Sequence, residues 1–370
     1  MTTNKTIQEK IREYNDNLLK FIKSNNDVKY IFYLDLGVKT VRLICYSEEF
    51  IPHIQKQLAY SLKENAEKYD TTIILWKVND IKQTIKYISS DFDLKTNLKL
   101  RAELIVRKQI SIYDNTYSKT KPIFNVNSTH DVINSYDRIS NTYFYGVKNL
   151  DPEEFIKEGH IFVQILNNIL KTPNTNLVHG ACVGLDNKGI LLCARGQRGK
   201  STLAVLAMIE GFEYVSDDYL TLEKEGDNLY AHPIYSIITL SPRMYNELYD
   251  RLDGTRFISN NARKDKYVIN ISNFHNQFKK KYPIKLCMFP EIVSDKEPSI
   301  KECTQQEKGR AITHLIHSTI FQMNDIHDIN TIQKLIKMVK EYEFYKINLC
   351  NNIFKNVECL KEFIKEYKNG

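Results

Sequence analysis

A lysine and a serine directly follow a glycine at Gly199-Lys200-Ser201, after an apolar run that ends near Cys193. The spacing approaches the phosphate-binding pattern G-x-x-x-x-G-K-[ST], although Ala194 stands at the first glycine position. Glycines let consecutive backbone N–H groups turn toward an anion, and the lysine adds positive charge. The residues that follow have a helical pattern, and a helix N-terminus also favours anions. The sequence therefore predicts a nucleotide phosphate site.

Seven residues of this loop and of the first helical turn are the expected nucleotide contacts: Gly196, Gln197, Arg198, Gly199, Lys200, Ser201 and Thr202. The Ser201 hydroxyl is also expected to hold Mg²⁺ beside the phosphates. Arg195 and Arg198 give the loop extra positive charge, and each either contacts phosphate or stays in solvent. The loop is thus predicted to bind a nucleotide together with a magnesium ion.

Two adjacent carboxylates, Asp217 and Asp218, follow the next apolar run. As a helix, Lys200–Glu210 would run back roughly 16 Å, and Phe212–Ser216 as a strand would cover a similar distance forward. A right-handed βαβ unit would then return both carboxylates to the sheet edge that carries the loop. An Asp pair after a strand more often forms a turn or a helix cap. A catalytic or binding role is favoured here because the βαβ unit would bring both carboxylates back to the phosphate loop.

A histidine is expected at the same edge of the sheet. A hairpin with its loop at residues 186–189 would pair Ala181 with Ala194 and His179 with Gly196. A lone histidine is usually a hydrogen-bonded structural residue. Here, however, an imidazole, a lysine, a serine and two carboxylates converge, which predicts a site for phosphoryl transfer.

The stretch over residues 177–222 resembles the catalytic domain of the HPr kinase/phosphorylase family and of its kinase relatives in peptide-modification gene clusters. The matching residues, in order and spacing, are His179-Gly180, Gly199-Lys200-Ser201 and the run from Gly211 to Asp218. The resemblance implies a PEP-carboxykinase-like P-loop domain with a mixed sheet. It also implies MgATP as the phosphate donor and a serine hydroxyl as the acceptor.

The resemblance further implies a role for each residue of the site. Asp217 would be the base that takes the proton from the acceptor hydroxyl, with His179 beside it and Lys200 on the phosphates. Asp218 and Ser201 would hold Mg²⁺, and the division of roles between the two aspartates stays open.

The E-V-R-G-x-G signature of the dual-function enzymes is missing downstream, so removal of phosphate and HPr as the acceptor are not expected. The kinase relatives from lasso-peptide clusters lack it too and are the nearer likeness. We therefore expect an ATP-dependent serine kinase acting on a peptide or small protein, for example a ribosomal peptide precursor. The alternatives are a small-molecule hydroxyl kinase of the same fold, a P-loop ATPase and a nucleotide-responsive binding protein.

The length of 370 residues fits two domains. The patterns predict an α/β and α+β chain: an N-terminal α+β domain over 1–125, a linker over 126–150 and the P-loop domain over 151–370. The first domain carries no recognisable motif, and acceptor binding and oligomerisation are its two expected roles. The linker is inferred from a stretch rich in Asn, Ser, Asp and Tyr without sustained periodicity.

Bulk composition excludes several classes of protein. The net charge of +7, from 52 basic and 45 acidic residues, is modest and well mixed, so nucleic acid is not an expected partner. The seven cysteines are scattered without metal-binding spacing, which is typical of reduced core thiols and a cytoplasmic protein. No apolar run is long enough to cross a membrane.

The sequence leaves the roles of two further groups of residues open. The loop that carries Arg256, Arg263 and Lys264 could close over the phosphates or the acceptor, or remain solvated. His314 and His317 share one face of an expected helix, but a metal site there would need a third ligand.

Overall fold

The computed structural model describes residues 7–25, 30–78, 109–113, 122–127, 132–148, 160–196, 198–252, 267–271, 274, 276–293, 297–323 and 329–367. The chain divides into two compact units. Unit 1 comprises Met1–Asp35, Lys39–Gln55 and Leu62–Asn168, and unit 2 comprises Leu36–Val38, Lys56–Ser61 and Ile169–Gly370. Both contain mixed sheets with helices, which confirms the predicted combination of α/β and α+β architecture.

Unit 1 is built on an eight-stranded sheet of order β3-β1-β2-β4-β8-β7-β6-β5. Its strands are β1 (Tyr30–Asp35), β2 (Thr40–Cys45), β3 (Leu62–Lys63), β4 (Thr71–Lys77), β5 (Gln109–Tyr113), β6 (Pro122–Asn127), β7 (Val132–Asp137) and β8 (Thr142–Val147). Its helices include α1 (Ile7–Asn25), and α2 (Ile51–Leu58) begins in it. The central strands β2, β4 and β8 are parallel, and β4 is buried from Thr71 to Trp76, as parallel strands usually are.

The linker expected over 126–150 is wrong for residues 132–147, because β7 and β8 form an antiparallel pair there. Polar side chains in β7 concealed the strand pattern. Ser135 is buried beside Ile133 on one face of β7 and donates a hydrogen bond to the buried Asn15 side chain of α1, so a polar residue takes part in packing this face on a helix. Burial with a hydrogen-bond partner makes such a polar residue compatible with a core strand.

Unit 2 contains a nine-stranded mixed sheet and a small two-stranded sheet. The large sheet has β9 (Thr175–His179), β10 (Ala181–Leu185), β11 (Lys188–Leu192), β12 (Glu213–Ser216), β13 (Tyr219–Glu225), β14 (Asn228–Pro233), β17 (Tyr282–Ile292), β18 (Ser299–Glu302) and β19 (Glu343–Leu349). The small sheet pairs β15 (Ile237–Leu240) with β16 (Tyr267–Asn270). The helices are α3 (Val163–Leu170, which ends in this unit), α4 (Lys200–Ile209), α5 (Pro242–Leu248), α6 (Gln305–Met323), α7 (Ile329–Val339) and α8 (Ile353–Glu366).

Strand β17 joins the halves of the large sheet, whose main order is β12-β10-β11-β17-β14-β13-β9. Residues along β11 alternate between two faces, so Ile190 and Leu192 pack with α4 and α8. Leu191 points to the opposite face, where α6 and α7 contribute Leu315 and Leu335. Helices therefore cover both faces and hold the strand ends near the candidate site in a fixed arrangement.

Helix α4 begins and ends at glycines, as the sequence predicts. Gly199 lies before its first residue with φ +86°, and Gly211 follows its end with φ +91°. The N–H of Phe212 bonds the Ala207 carbonyl at 2.9 Å, and the N–H of Gly211 bonds the Met208 carbonyl at 3.1 Å. This is the Schellman arrangement, in which a left-handed residue satisfies the last carbonyls of a helix.

The hairpin register differs from the expectation, because Ala181 pairs with Leu192 and not with Ala194. The loop is a two-residue turn at Asp186-Asn187, where φ is 52° and 61°. Positive φ at both central residues matches the twist of antiparallel strands, which favours this tighter turn. His179 is outside the hairpin: it ends β9 and pairs with Tyr219 of β13, so its expected pairing with Gly196 is also wrong.

Candidate functional site

Two strands of the large sheet in unit 2 lead into the candidate site at one edge of the sheet. Strand β11 runs into the glycine loop (residues 194–199), and β12 ends beside Asp217. Strand β10 lies between β11 and β12 and is antiparallel to both, so β11 and β12 run in the same direction and end at the same edge. The predicted return of the acidic pair to the loop is therefore confirmed, with one strand intervening.

Lys200 lies between the two carboxylates. Its Nζ is 2.8 Å from Asp217 Oδ1 and 3.4 Å from Asp218 Oδ1. Lys200 and Asp217 are 5% and 1% exposed, so the shorter contact is a buried ion pair. Breaking such a pair on one side leaves an uncompensated buried charge, which is why the two residues are expected to depend on each other.

The charges of this group shift its pKa values. Burial lowers the pKa of Lys200, but attraction to Asp217 and Asp218 outweighs burial and leaves that pKa raised. Burial raises the pKa of Asp217, while the Lys200 ammonium opposes the rise and Asp218 adds to it. The lysine consequently stays protonated, and one cation is shared by two carboxylates.

Asp218 is held in a left-handed backbone conformation, with φ +70°. Its carbonyl accepts the Gly180 N–H at 3.0 Å, and its Oδ2 accepts the Thr239 hydroxyl at 3.2 Å. The other oxygen, Oδ1, is 4.0 Å from His179 Nε2. The Asp218 side chain is 15% exposed whereas that of Asp217 is fully buried, so Asp218 is the more accessible carboxylate.

His179 is positioned by three neighbouring elements. It ends β9 opposite Tyr219, whose ring meets the imidazole edge-on with centroids 5.2 Å apart. Its backbone N–H donates to Thr319 Oγ1 of α6 at 2.9 Å, and Ser318 Oγ donates to its carbonyl at 3.4 Å. Helix α6 thus fixes the strand end that carries the imidazole.

The glycine loop has one residue whose conformation requires glycine. At Gly199, with φ +86°, an added Cβ would approach Leu349 Cδ1 to 2.5 Å. Gly196 is different: its φ is outside the left-handed region and an added Cβ would meet nothing within 4 Å, so its conformation does not require glycine. The first bond within α4 runs from the Leu203 N–H to the Gly199 carbonyl at 2.9 Å. The N–H groups of Lys200, Ser201 and Thr202 precede it and can serve an anion.

The remaining predicted residues fall into three groups. Ser201 and Thr202 are half-buried in the first turn of α4, and Arg195 and Arg198 are exposed. Gln197 and the loop with Arg256, Arg263 and Lys264 lie outside the described residues. In the parts of the chain that the structure describes, no three His, Cys, Asp or Glu side chains are grouped to hold a metal ion. His314 and His317 therefore belong to no such group among the described residues.

A magnesium ion fits the site as one that keeps water and phosphate ligands. Asp217 Oδ2 is buried and accepts no well-formed hydrogen bond from any described residue, although the Ser201 hydroxyl is near enough to lower the pKa of that carboxyl. A carboxylate oxygen and a serine hydroxyl beside phosphates are a usual protein contribution to bound Mg²⁺. The orphaned oxygen is on Asp217, whereas the sequence assigns the metal to Asp218.

Sequence reasoning missed two residues of the site. Thr239 orients Asp218 from the neighbouring small sheet, and Thr319 orients His179 from a helix far along the chain. Neither threonine belongs to a recognisable motif. Only the three-dimensional pairing of their elements brings them to the site.

Known proteins similar to this chain were found among solved structures. No protein-family model and no curated protein sequence matches the chain. Among matching solved structures is the Hpr(Ser) kinase/phosphatase from Coxiella burnetii, at 12% identity over 51% of this chain and 93% of that one, with a TM-score of 0.29. A similarity with this TM-score and this sequence identity does not indicate the activity of the chain. In the described residues, no helix combines the length and apolar character needed to cross a membrane.

Proposed function

We propose that the chain is an ATP-dependent kinase that transfers the γ-phosphate to a serine hydroxyl of a peptide or small protein. The observation that carries the proposal is the Lys200 ammonium at a helix N-terminus, shared by Asp217 and Asp218 beside His179. The same arrangement supplies backbone donors for phosphate, a fixed cation and an accessible carboxylate. The serine acceptor and the preference for a peptide rest on the sequence resemblance.

Each residue has a separate task in the proposed reaction. The N–H groups at the start of α4 and the Lys200 ammonium hold the phosphates and offset their charge. Mg²⁺, when bound, supplies further charge neutralisation at the phosphates. The base accepts the serine proton as the serine oxygen bonds to the γ-phosphorus, and the bond from that phosphorus to the bridging oxygen breaks to leave ADP.

We propose that Asp218 is the base and that Asp217 is a ligand of Mg²⁺, the reverse of the roles that the resemblance implies. A base must reach the acceptor hydroxyl, and only Asp218 has an exposed fraction in its side chain. Asp217 faces Lys200 with one oxygen and leaves the other buried without a hydrogen bond from the described residues. His179, 4.0 Å from Asp218, then lies beside the base as the resemblance expects.

The nucleotide and acceptor define the partners of the proposed enzyme. It uses ATP with Mg²⁺ and a peptide acceptor, and it needs neither nucleic acid nor a membrane. Acceptor binding or self-association is the proposed role of unit 1, and the cytoplasm is the proposed location. A free small-molecule hydroxyl or water would be the acceptor in the competing functions, so the fate of the γ-phosphate separates them.

The test follows radiolabel from γ-³²P-ATP in the presence of Mg²⁺ and a library of serine peptides. We expect labelled phosphoserine with the wild-type chain and a loss of about 10²–10³-fold with Lys200→Arg, because the longer, forked cation cannot keep the position of the ammonium. Arginine keeps a positive charge beside Asp217, so this variant avoids leaving that carboxylate unpaired. The exposed Lys337→Arg on α7 is the matched control and should label peptide normally.

Three outcomes would overturn the proposal. Undiminished transfer by Lys200→Arg would remove the loop from the reaction. Label that appears only in inorganic phosphate would indicate an ATPase, and no turnover despite ATP binding would indicate a binding protein.

A further inference from the structure

Three arginines and a histidine lie in or beside the glycine loop, apart from Lys200 and the N-terminus of α4, which hold the nucleotide in the proposed function. We call this group the basic face; it consists of Arg195, Arg198, Arg310 and His314. The first two belong to the loop, and the other two lie one helical turn apart on α6. Residues four apart share a helix face, so Arg310 and His314 present their side chains in the same direction.

Strand pairing explains how the loop and the helix come together. Strand β11 is parallel to β17 with Leu192 opposite Met288, and the Cys193 N–H continues the pairing to the Met288 carbonyl at 2.9 Å. The loop therefore leaves the sheet alongside the end of β17. Helix α6 packs over the same strand, where the His314 ring lies 5.3 Å from the Phe289 ring between centroids.

Within the part of the chain that the structure describes, the arginines of the basic face have no fixed partner. None of the three forms an ion pair or a side-chain hydrogen bond with another residue that the structure describes. Glu291 at the end of β17, an acidic group on which Arg198 and Arg310 act, is already paired with Lys346. Three guanidinium groups without an ion-pair partner among the described residues leave a surplus of positive charge, which favours an anionic ligand.

Electrostatic effects on neighbouring groups agree with this placement. Burial lowers the pKa of His314, and the charges of Arg195, Arg310 and Arg198 lower it further. The pKa of Glu291 is lowered by Lys346 first and then also by Arg198 and Arg310. Both effects require the arginines from the loop and from the helix to act on the same small region.

Helix α6 links the basic face to His179, which lies beside the proposed base. Helix α6 is joined to His179 through Thr319 and Ser318. At about 1.5 Å rise per residue, His314 lies roughly 7 Å and Arg310 roughly 13 Å along the helix from Thr319. An extended peptide covers about 3.3 Å per residue, so these distances correspond to about two and four residues of acceptor.

We infer that the basic face recognises acidic side chains of the acceptor, placed about two to four residues from the serine that receives the phosphate. The inference rests on the proposed kinase function and adds the substrate class. The nucleotide phosphates are already served by the N-terminus of α4 and by Lys200. Arg310 and His314 instead belong to the element that holds His179, so their ligand is the acceptor.

The experiment uses the full chain and three serine peptides that differ only in the residues near the serine. One peptide carries Glu at two, three and four residues on both sides of the serine, its partner carries Gln there, and a third carries Lys. We expect the KM for the Glu peptide to be at least about tenfold lower than for the Gln peptide, since each charge-assisted contact strengthens binding. Arg310→Glu should abolish that preference and improve the Lys peptide, while the KM for ATP stays unchanged.

The control is Lys340→Glu, which makes the same charge change at an exposed site on unit 2 where Lys340 pairs only with its neighbour Glu341 in the described chain. It should keep the wild-type preference for Glu. Equal KM values for Glu and Gln peptides, or an Arg310→Glu variant altered in its KM for ATP instead, would overturn the inference and leave the kinase function standing. Label transferred to no peptide, with ATP hydrolysis intact, would overturn the kinase function itself.

Discussion

Replacing Asp218 with Asn tests the proposed base with little disturbance of the fold. Among residues with a side chain, Asn tolerates the left-handed φ of +70° well, whereas Ala would add strain of about 1–2 kcal/mol. The Asn side-chain oxygen can still accept the Thr239 hydroxyl, which is 3.2 Å from Asp218 Oδ2. The shorter contact of Lys200, at 2.8 Å to Asp217, is retained. The substitution removes the proton acceptor and the longer contact of Lys200, which is 3.4 Å to Asp218 Oδ1.

We expect Asp218→Asn to lower kcat for phosphoryl transfer by about 10²–10⁴-fold, the usual contribution of a general base. ATP affinity should change little, because Lys200 and the N-terminus of α4 are untouched. Transfer is measured from γ-³²P-ATP to an acceptor peptide, and nucleotide affinity by titration with a fluorescent ATP analogue. Urea unfolding should give a midpoint close to that of the wild type.

Asp217→Asn provides the contrast, because it breaks the buried ion pair of Lys200 on one side. Loss of one partner of such a pair costs about 3–5 kcal/mol, although the second carboxylate at 3.4 Å reduces that cost. This variant should therefore unfold at lower urea and bind MgATP weakly. A stable Asp217→Asn variant that binds ATP but does not transfer phosphate, together with an active Asp218→Asn, would refute our division of roles.

Two further predictions concern structure around the site. Gly199→Ala should lower the free energy of unfolding by at least about 1–2 kcal/mol and weaken ATP binding, because its φ is +86° and its Cβ would meet a leucine at 2.5 Å; urea unfolding and nucleotide titration measure both effects. Burial lowers the pKa of His232, which also bonds Glu223, so neutral His232 stabilises the fold above the ordinary pKa of about 6.5. That stability is lost as pH falls below this value, so the gap in urea midpoint between the wild type and His232→Gln should be smaller at pH 5.5 than at pH 7.5.

Each of these two predictions has a clear contrary result. Wild-type stability and ATP affinity in Gly199→Ala, with a normal Gly196→Ala as control, would mean that the left-handed glycine is not required. A gap between wild type and His232→Gln that stays constant or widens on acidification would show that the imidazole is not held neutral.

Local patterns were sufficient to locate the centre of the site. The lysine after a glycine, the helix bounded by Gly199 and Gly211, and the return of Asp217 to the sheet edge all follow from short-range rules about turns, helix rise and handedness. The sequence therefore predicted which charged groups would meet. It also predicted the mixed architecture, because strand and helix periods alternate along most of the chain.

Register and long-range contacts could not be derived in the same way. The hairpin closes with two turn residues and not four. The strand register and the positive φ at Asp186 and Asn187 both establish the shorter turn. The polar strand β7 looks like a loop until Asn15 supplies a partner for Ser135. Thr239 and Thr319 reach the site from elements that are distant in sequence, and no local pattern records such packing.

The chain order of unit 2 has a practical consequence for dissecting the protein. Residues 36–38 and 56–61 belong to the unit, although they precede its main segment, which begins at residue 169, by more than a hundred positions. Within the unit, Tyr60 donates to the Ile271 carbonyl at 2.6 Å and Ser236 N–H donates to the Gln57 carbonyl at 2.7 Å. A truncation that starts at residue 151 or 169 would delete these partners and expose their former contacts to water. Loss of activity in such a fragment would thus report an incomplete fold, and point substitutions are the sounder way to ask what unit 1 does.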